Sequence, residues 1–271
     1  KFEQDTLIAI CGGYLSPTTG GTEVPQGKPV RVRAGSVLDF GACRAGCRAY
    51  LAVRGGFDVP HVMGSRSTYE VAQLGGMQGR ALRKDDRLRI GESGANNYPA
   101  LDAELSRSRL ACAFPNWAVN QHIEKLERMP QTVRIIRGRH WEAFPATSRE
   151  ALTGTEFRIA ADSNRIGFRL DGATIDPERP LEILSEAVTF GTIQIPHGGK
   201  PIVLMADRQT VGGYPKIAEV ASVGLHLLAQ LKPGDRLRFK LVSLARAHAL
   251  WLAHEREIMT IREAVEKHLS N

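Results

Sequence analysis

The sequence predicts a mainly β protein built as two similar halves and ended by one long helix. Three observations carry this. Short apolar runs rich in Val, Ile and aromatic residues alternate with Gly-, Pro- and Asn-rich breaks through most of the chain. One pattern occurs twice: Leu82-Arg83-Lys84-Asp85-Asp86-Arg87-Leu88-Arg89-Ile90 matches Leu231-Lys232-Pro233-Gly234-Asp235-Arg236-Leu237-Arg238-Phe239, an offset of 149 residues (231 − 82). Near the end of the chain, Leu244, Ala247, Trp251, His254, Ile258, Ile261, Val265 and Leu269 recur every three or four positions, which is one apolar face of a helix.

Residues 1–91 read as a β domain. Thr6 to Cys11 is an apolar strand, and Gly12 to Gly27 holds turns with a short edge strand at most. Pro29 to Arg33 and Ser36 to Phe40 flank Ala34-Gly35 and predict a hairpin. Cys47 to Val53 is a strand, followed by a turn at Arg54 to Phe57 and a polar cluster at Gly64 to Tyr69. Leu82 to Ile90 predicts a turn and an alternating strand. Residues 92–130 read as a linker broken by Asn96, Asn97, Pro99, Pro115 and Pro130, with short helices at Leu101 to Leu110 or His122 to Met129. Residues 131–271 form the second β domain and its helix. Strands fall at Thr132 to Ile136, Glu156 to Ile159, Ile166 to Leu170 and Ile202 to Met205. Thr147-Ser148 is a candidate cap for a short helix at Arg149 to Leu152, and Ser243 one for the final helix. The repeat suggests two domains packed pseudo-symmetrically. Chance similarity of a common turn would give the same match, but the order of features around each copy favours duplication.

Composition narrows the function classes. The net charge of +7 is mild over 271 residues and its basic residues are dispersed, unlike the clustered basic faces of nucleic-acid binders. No apolar run approaches the roughly 18 residues of a membrane span, and the polar Lys1 to Asp5 with the short Leu7 to Cys11 run is not expected to act as a signal peptide. Cys11, Cys43, Cys47 and Cys112 lack zinc-ligand spacing and predict free, at least partly buried thiols in a reducing cytoplasm. No metal site is expected. The chain starts without Met and inside a strand, so the first domain is expected to be truncated at its start.

The most informative stretch is Pro201 to Pro215, PIVLMADRQTVGGYP. An apolar strand ends abruptly in Asp207, Arg208, Gln209 and Thr210, then Gly212-Gly213-Tyr214. A carboxylate, a guanidinium, an amide and a hydroxyl meet at one strand end. A hairpin whose polar residues satisfy one another gives the same pattern. Neither GxSxG nor HExxH is present, and the His197-Gly198-Gly199-Lys200 turn lacks the spacing of a phosphate loop. With Arg165 and Gln194, these residues suit a small amide or carboxylate-bearing substrate. Arg holds a carboxylate on two bonds, Asp takes a proton or orients water, and Gln reads an amide edge.

Long motifs then resemble one family. RAYLAVRGGFDVPHVMGSRSTY (Arg48 to Tyr69, continuing to Gly76), SNRIGFRL (Ser163 to Leu170), SEAVTFGTIQIP (Ser185 to Pro196) and GKPIVLMADRQTVGGYPKIAEV (Gly199 to Val220) resemble the biotin-dependent carboxyltransferase family, also called the allophanate hydrolase subunit 2 family. The resemblance covers nearly the whole chain. It implies two cyclophilin-like β-barrel domains with a C-terminal helix. It also implies a role as the C component of an ATP-dependent 5-oxoprolinase, which opens 5-oxo-L-proline to L-glutamate with an A component and a KipI-like B component. A KipA-like regulator that antagonises a KipI-like kinase inhibitor, and a carboxyltransferase acting on urea-like amides, are the alternatives it implies. ATP would act through the complex, and any biotin would arrive on a partner, since no biotinyl-lysine motif is present.

Carried over onto this chain, Asp207, Gln209 and Arg165 are the candidates for the chemistry. Ser163, Asn164, Gln194, Arg208, Thr210, Tyr214, Ser65, Arg66, Ser67 and Thr68 are the candidates for substrate binding. Two departures stand out. The family's opening segment, with its TVQDxGRxGY and GAMD motifs, is absent from this sequence. Val211 also stands where the family's ADRQTTGGYP has a Thr, which removes one hydroxyl.

Overall fold

A computed structural model describes residues 1–92, 98–122 and 124–270. Asn96 and Asn97 of the connecting stretch lie outside the described residues.

The first half is a pair of open sheets. β1 (Thr6–Tyr14) alternates buried Thr6, Ile8 and Ile10 with partly exposed neighbours, the period of a half-buried strand. β2 (Pro17–Thr19), β3 (Thr22–Glu23) and β5 (Leu38–Phe40) make a three-stranded sheet in the order β3-β2-β5. β4 (Pro29–Val32), β6 (Ala45–Val53) and β7 (Cys112–Ala113) join β1 in the order β6-β1-β4-β7. Ile8, Ile10, Val24, Val30, Val32 and Cys112 form a small core. The expected hairpin across Ala34-Gly35 does not form, because β4 and β5 enter different sheets. The reason lies in the turn: Ala34 N–H is taken by Asp5 Oδ1 at 2.8 Å and Gly35 N–H by the Phe2 carbonyl, which tie it to the chain start.

The connecting stretch belongs partly to this half. β7 lies within it and pairs with β4, while α1 (Pro99–Ser106) and α2 (Glu124–Glu127) occupy the two places that the sequence offers for short helices.

The second half closes on itself. β8 (Gln131–Arg137), β9 (Glu156–Ile159), β10 (Gly167–Asp171), β12 (Thr192–Gln194), β13 (Ile202–Leu204), β15 (Lys216–Val220) and β16 (Arg236–Leu241) form a closed barrel in the order β10-β13-β12-β15-β8-β16-β9. Closure removes free sheet edges. Its interior is filled by fully buried Phe144, Phe157, Ile135, Leu170, Ile193 and Leu237, among others. A two-stranded ribbon of β11 (Glu186–Ala187) and β14 (Val211–Gly212) lies outside the barrel wall. α3 (Ala146–Gly154) starts earlier than expected and its cap is not a hydroxyl: Ser148 Oγ donates instead to the Asp176 carbonyl at 2.7 Å. α4 (Ser222–Ala229) precedes the second copy of the repeated turn.

The fold is therefore mainly β with a closed barrel and a C-terminal helix, but the two halves differ. The first does not close, and residues 54–92 hold only isolated bridges such as Phe57–Ile90 and a 3-10 turn at Glu70–Ala72. The strand expected within Leu82 to Ile90 is absent there.

The halves meet at residues 229–231, where the Cys47 thiol donates to the Leu231 carbonyl at 3.3 Å and Arg48 donates to the Ala229 carbonyl. Gln230 Oε1 accepts from Cys47 N and Arg48 N, each at 3.0 Å, and its Nε2 donates to the Arg48 carbonyl at 2.9 Å. The amide acts as an extra peptide unit along the open edge of β6, the role a neighbouring strand would play. Thiol exposure departs from expectation, since Cys11 and Cys43 are exposed and only Cys112 is buried. Cys11 lies on β1 and Cys43 in the link between β5 and β6, both outside the small core.

α5 (Leu244–Ser270) is capped as expected, with Ser243 Oγ accepting from Arg246 N at 3.1 Å. Its apolar face is split. Ala247 is buried and His254, Ile261 and Val265 are half-buried, whereas Leu244, Trp251 and Ile258 are exposed. Among the described residues no helix is long and apolar enough to cross a membrane.

Candidate functional site

The informative stretch begins as β13, held between β10 and β12. The β10 ladder continues past it: Met205 N donates to Ile166 O and Asp207 N to Arg165 O. That continuation places the Asp207 and Arg165 side chains together. Arg165 donates from Nε to Asp207 Oδ2 at 2.7 Å and from a terminal nitrogen to Oδ1 at 2.9 Å, a two-bond pair. Arg165 holds the Asp207 carboxyl below its ordinary value, and Asp207 raises Arg165 in turn. A carboxylate occupied on both oxygens and biased toward ionisation is a weak base. Its geometry suits it to aiming Arg165.

Neighbouring candidates are spent on the local backbone. Ser163 Oγ accepts from Arg169 N at 3.0 Å, and Asn164 Oδ1 accepts from Ile166 N at 2.8 Å. Gln209 and Thr210 are exposed on the loop that follows. Ser65, Arg66, Ser67 and Thr68 lie exposed in the first half; Ser67 N donates to Ser65 Oγ at 3.0 Å, a local contact.

Gln194 is not part of the Asp207 strand end. It pairs with Ile202 at the start of β13, whereas Asp207 lies in the turn beyond the far end of that strand. Gln194 belongs to a second group of polar side chains. Ile193 fills the barrel core, so Thr192 and Gln194 face outward. Across the wall Thr192 pairs with Glu219 and Gln194 with Lys216. Thr192, Gln194 and Lys216 are nevertheless buried, Gln194 at 2% exposure and Lys216 at 3%. The β11–β14 ribbon covers them. Lys216 Nζ donates to Glu186 Oε2 at 3.2 Å and to the Gly212 carbonyl at 3.3 Å.

The electrostatics of this layer are mixed. Lys216 lowers the Glu186 pKa. Burial lowers that of His140, whose Nδ1 accepts from Lys216 N at 3.1 Å and so carries no proton. Burial raises the Glu219 pKa, although Thr189 Oγ1 donates to its Oε2 at 3.1 Å. Gln194 Nε2 is buried with no hydrogen-bond partner, and so is Arg208 Nε on the covering loop. Tyr214 meets His197 edge-on, with ring centroids 6.4 Å apart.

Lys216, Glu186, His140 and Glu219 do not stand out in the sequence. A signal is present in the alternation of Thr192-Ile193-Gln194, which puts polar groups on the outer side of a barrel strand. Among the described residues no group of three His, Cys, Asp or Glu side chains is placed to hold a metal ion. Lys200 of the His197–Lys200 turn pairs with Asp171 at 2.7 Å.

The closed β-barrel carries a polar strand end and a covered polar layer, and sequence comparison gives the class of the chain. Residues 1–241 match the family model described as carboxyltransferase domain, subdomain A and B, and the chain belongs to that family. The 5-oxoprolinase C component of Haemophilus influenzae is 33% identical over 268 residues, covering 98% of this chain and 79% of that protein. The urea amidolyase of Saccharomyces cerevisiae is 32% identical over 260 residues, covering 92% of this chain and 14% of its own length. The solved urea carboxylase of Kluyveromyces lactis superposes with a TM-score of 0.78 at 28% identity, covering 96% of this chain and 23% of that one. The chain thus spans less than a quarter of the urea carboxylase that it resembles in structure.

Proposed function

We propose that this chain is the C component of an ATP-dependent 5-oxoprolinase, opening 5-oxo-L-proline to L-glutamate together with the A and B components. The observation that carries the reading is the 33% identity to a 5-oxoprolinase C component over 98% of this chain and most of that protein. The match to longer, multifunctional urea enzymes extends over a small part of their length. In the proposed reaction, phosphorylation of the lactam oxygen activates the ring for attack by water. In this reading ATP acts through the complex.

The role assigned to this chain is to hold and orient the substrate along residues 206–215. Asp207 fixes Arg165 at one end of that loop, and Gln209 and Thr210 are presented to solvent along it. The family description favours one second reading, transfer of a carboxyl group to a urea-like amide, with biotin carried by a partner.

The test is ATP-dependent glutamate release from 5-oxoproline by this chain mixed with its A and B component partners. Asp207→Asn is expected to lower the rate more than tenfold, about 1.4 kcal/mol of barrier. An unimpaired Asp207→Asn complex would remove the strand end from the reaction. Absence of glutamate release, with biotin-dependent carboxylation of urea instead, would establish the second reading.

A further inference from the structure

We propose that the covered layer outside the β12–β15 wall is where a small cyclic amide is received, its carbonyl oxygen accepting from Gln194 Nε2, and that the loop 206–214 is the lid over it. The choice of a lactam as ligand rests on the proposed 5-oxoprolinase role; the site itself rests on geometry.

Three features point to a ligand. Gln194 is 2% exposed, yet its Nε2 has no hydrogen-bond partner. A buried donor without an acceptor is costly and uncommon, so its persistence marks a group kept for another partner. Lys216 Nζ, a second donor in the same layer, supplies positive charge beside it and is balanced by Glu186. What covers Gln194 is light. A Cβ built on Gly212 would lie 2.6 Å from Gln194 Nε2, so the lid rests on the amide through a glycine α-carbon.

The lid is also weakly held. It pairs with β11 over two residues, Glu186 with Gly212 and Ala187 with Val211, with one further bond from Val188 N to Thr210 O. Its two ends are fixed by the Arg165–Asp207 pair and by Lys216. Gly212 and Gly213 supply backbone freedom next to the amide. Raising this short ribbon exposes Gln194 Nε2 and Lys216 Nζ together, and a lactam carbonyl offers the acceptor that the amide lacks. Asp207 and Arg165, on this account, are positioning residues that latch the lid.

The test is calorimetric titration of the full chain with 5-oxoproline and with 2-pyrrolidone, a lactam without the carboxylate. Gln194→Leu keeps the side-chain size and removes the unpaired donor. It is expected to weaken binding of both lactams at least tenfold while the melting temperature holds or rises. Binding unchanged in Gln194→Leu, or a melting temperature that falls, would overturn the inference, because the amide would then be a structural group. The two proposals fail separately when the same variant is assayed in the complex. Full turnover with Gln194→Leu overturns the lactam site and leaves the 5-oxoprolinase reading. Gln194-dependent lactam binding without turnover does the reverse.

Discussion

The two copies of the repeated turn begin alike and end differently. In both, the aspartate at the fifth position accepts from the backbone of the second: Asp86 Oδ2 from Arg83 N at 2.7 Å, and Asp235 Oδ2 from Lys232 N at 3.0 Å. The residue before it has positive φ in each, +71° at Asp85 and +93° at Gly234. Beyond the turn, Arg236–Leu241 becomes β16, parallel to β8 and antiparallel to β9, with Leu237 and Phe239 in the core. In the first copy, only Ile90 bridges to Phe57, and Leu82 stays 59% exposed. The same alternation makes a strand only where neighbours accept its backbone. A turn is a local object closed by its own aspartate, whereas a strand exists only through other strands.

The largest test of this contrast compares equivalent leucines. Leu237→Ala removes a fully buried side chain from the barrel and is expected to cost about 2–5 kcal/mol. Leu88→Ala, at the matching position of the first copy, is expected to cost about 1 kcal/mol or less, because that side chain is already half-exposed. Urea midpoints of the two variants check both; equal losses would mean that the first copy is packed as tightly as the second.

The junction between the halves gives the next effect. Gln230→Ala leaves two N–H groups and one carbonyl of β6 without their protein partner, and a loss of about 1–3 kcal/mol is expected. Hydrogen exchange should rise at Cys47 and Arg48 before it rises in the barrel strands. Uniform exchange across both halves would show that the amide is not what couples them.

The smallest effect lies in the turn itself. Gly234→Ala places a Cβ at positive φ and is expected to destabilise by about 1 kcal/mol, whereas Asp85→Gly relieves the same strain and is expected to be neutral or slightly stabilising. Thermal melts of the two variants that moved in the same direction would break the equivalence of the turns.

How much is legible in the sequence follows from the same distinction. The final helix and its Ser243 cap, the apolar strands of the barrel and the polar end at Asp207 are readable because each depends on residues close in the chain. The pairing of Asp207 with Arg165 is half visible: both residues stand out in the sequence, but their two-bond contact depends on the β10–β13 ladder. Lys216, Glu186 and His140 carry no local signal strong enough to draw attention. They come together only where β12 meets β15 and a distant ribbon folds over both.

By itself the sequence determined where the chain turns, which faces of its strands and of its last helix are apolar, and the family to which its long motifs belong. Those properties reside in backbone propensity and side-chain polarity over a few residues. Only the tertiary structure decided that one half closes and the other stays open, that Gln194 stands apart from Asp207, and that polar groups on the outer wall of a barrel are buried. Each of these rests on strand pairing between residues far apart in the chain, and the free energy of such pairing depends on which partner is present rather than on the strand's own composition.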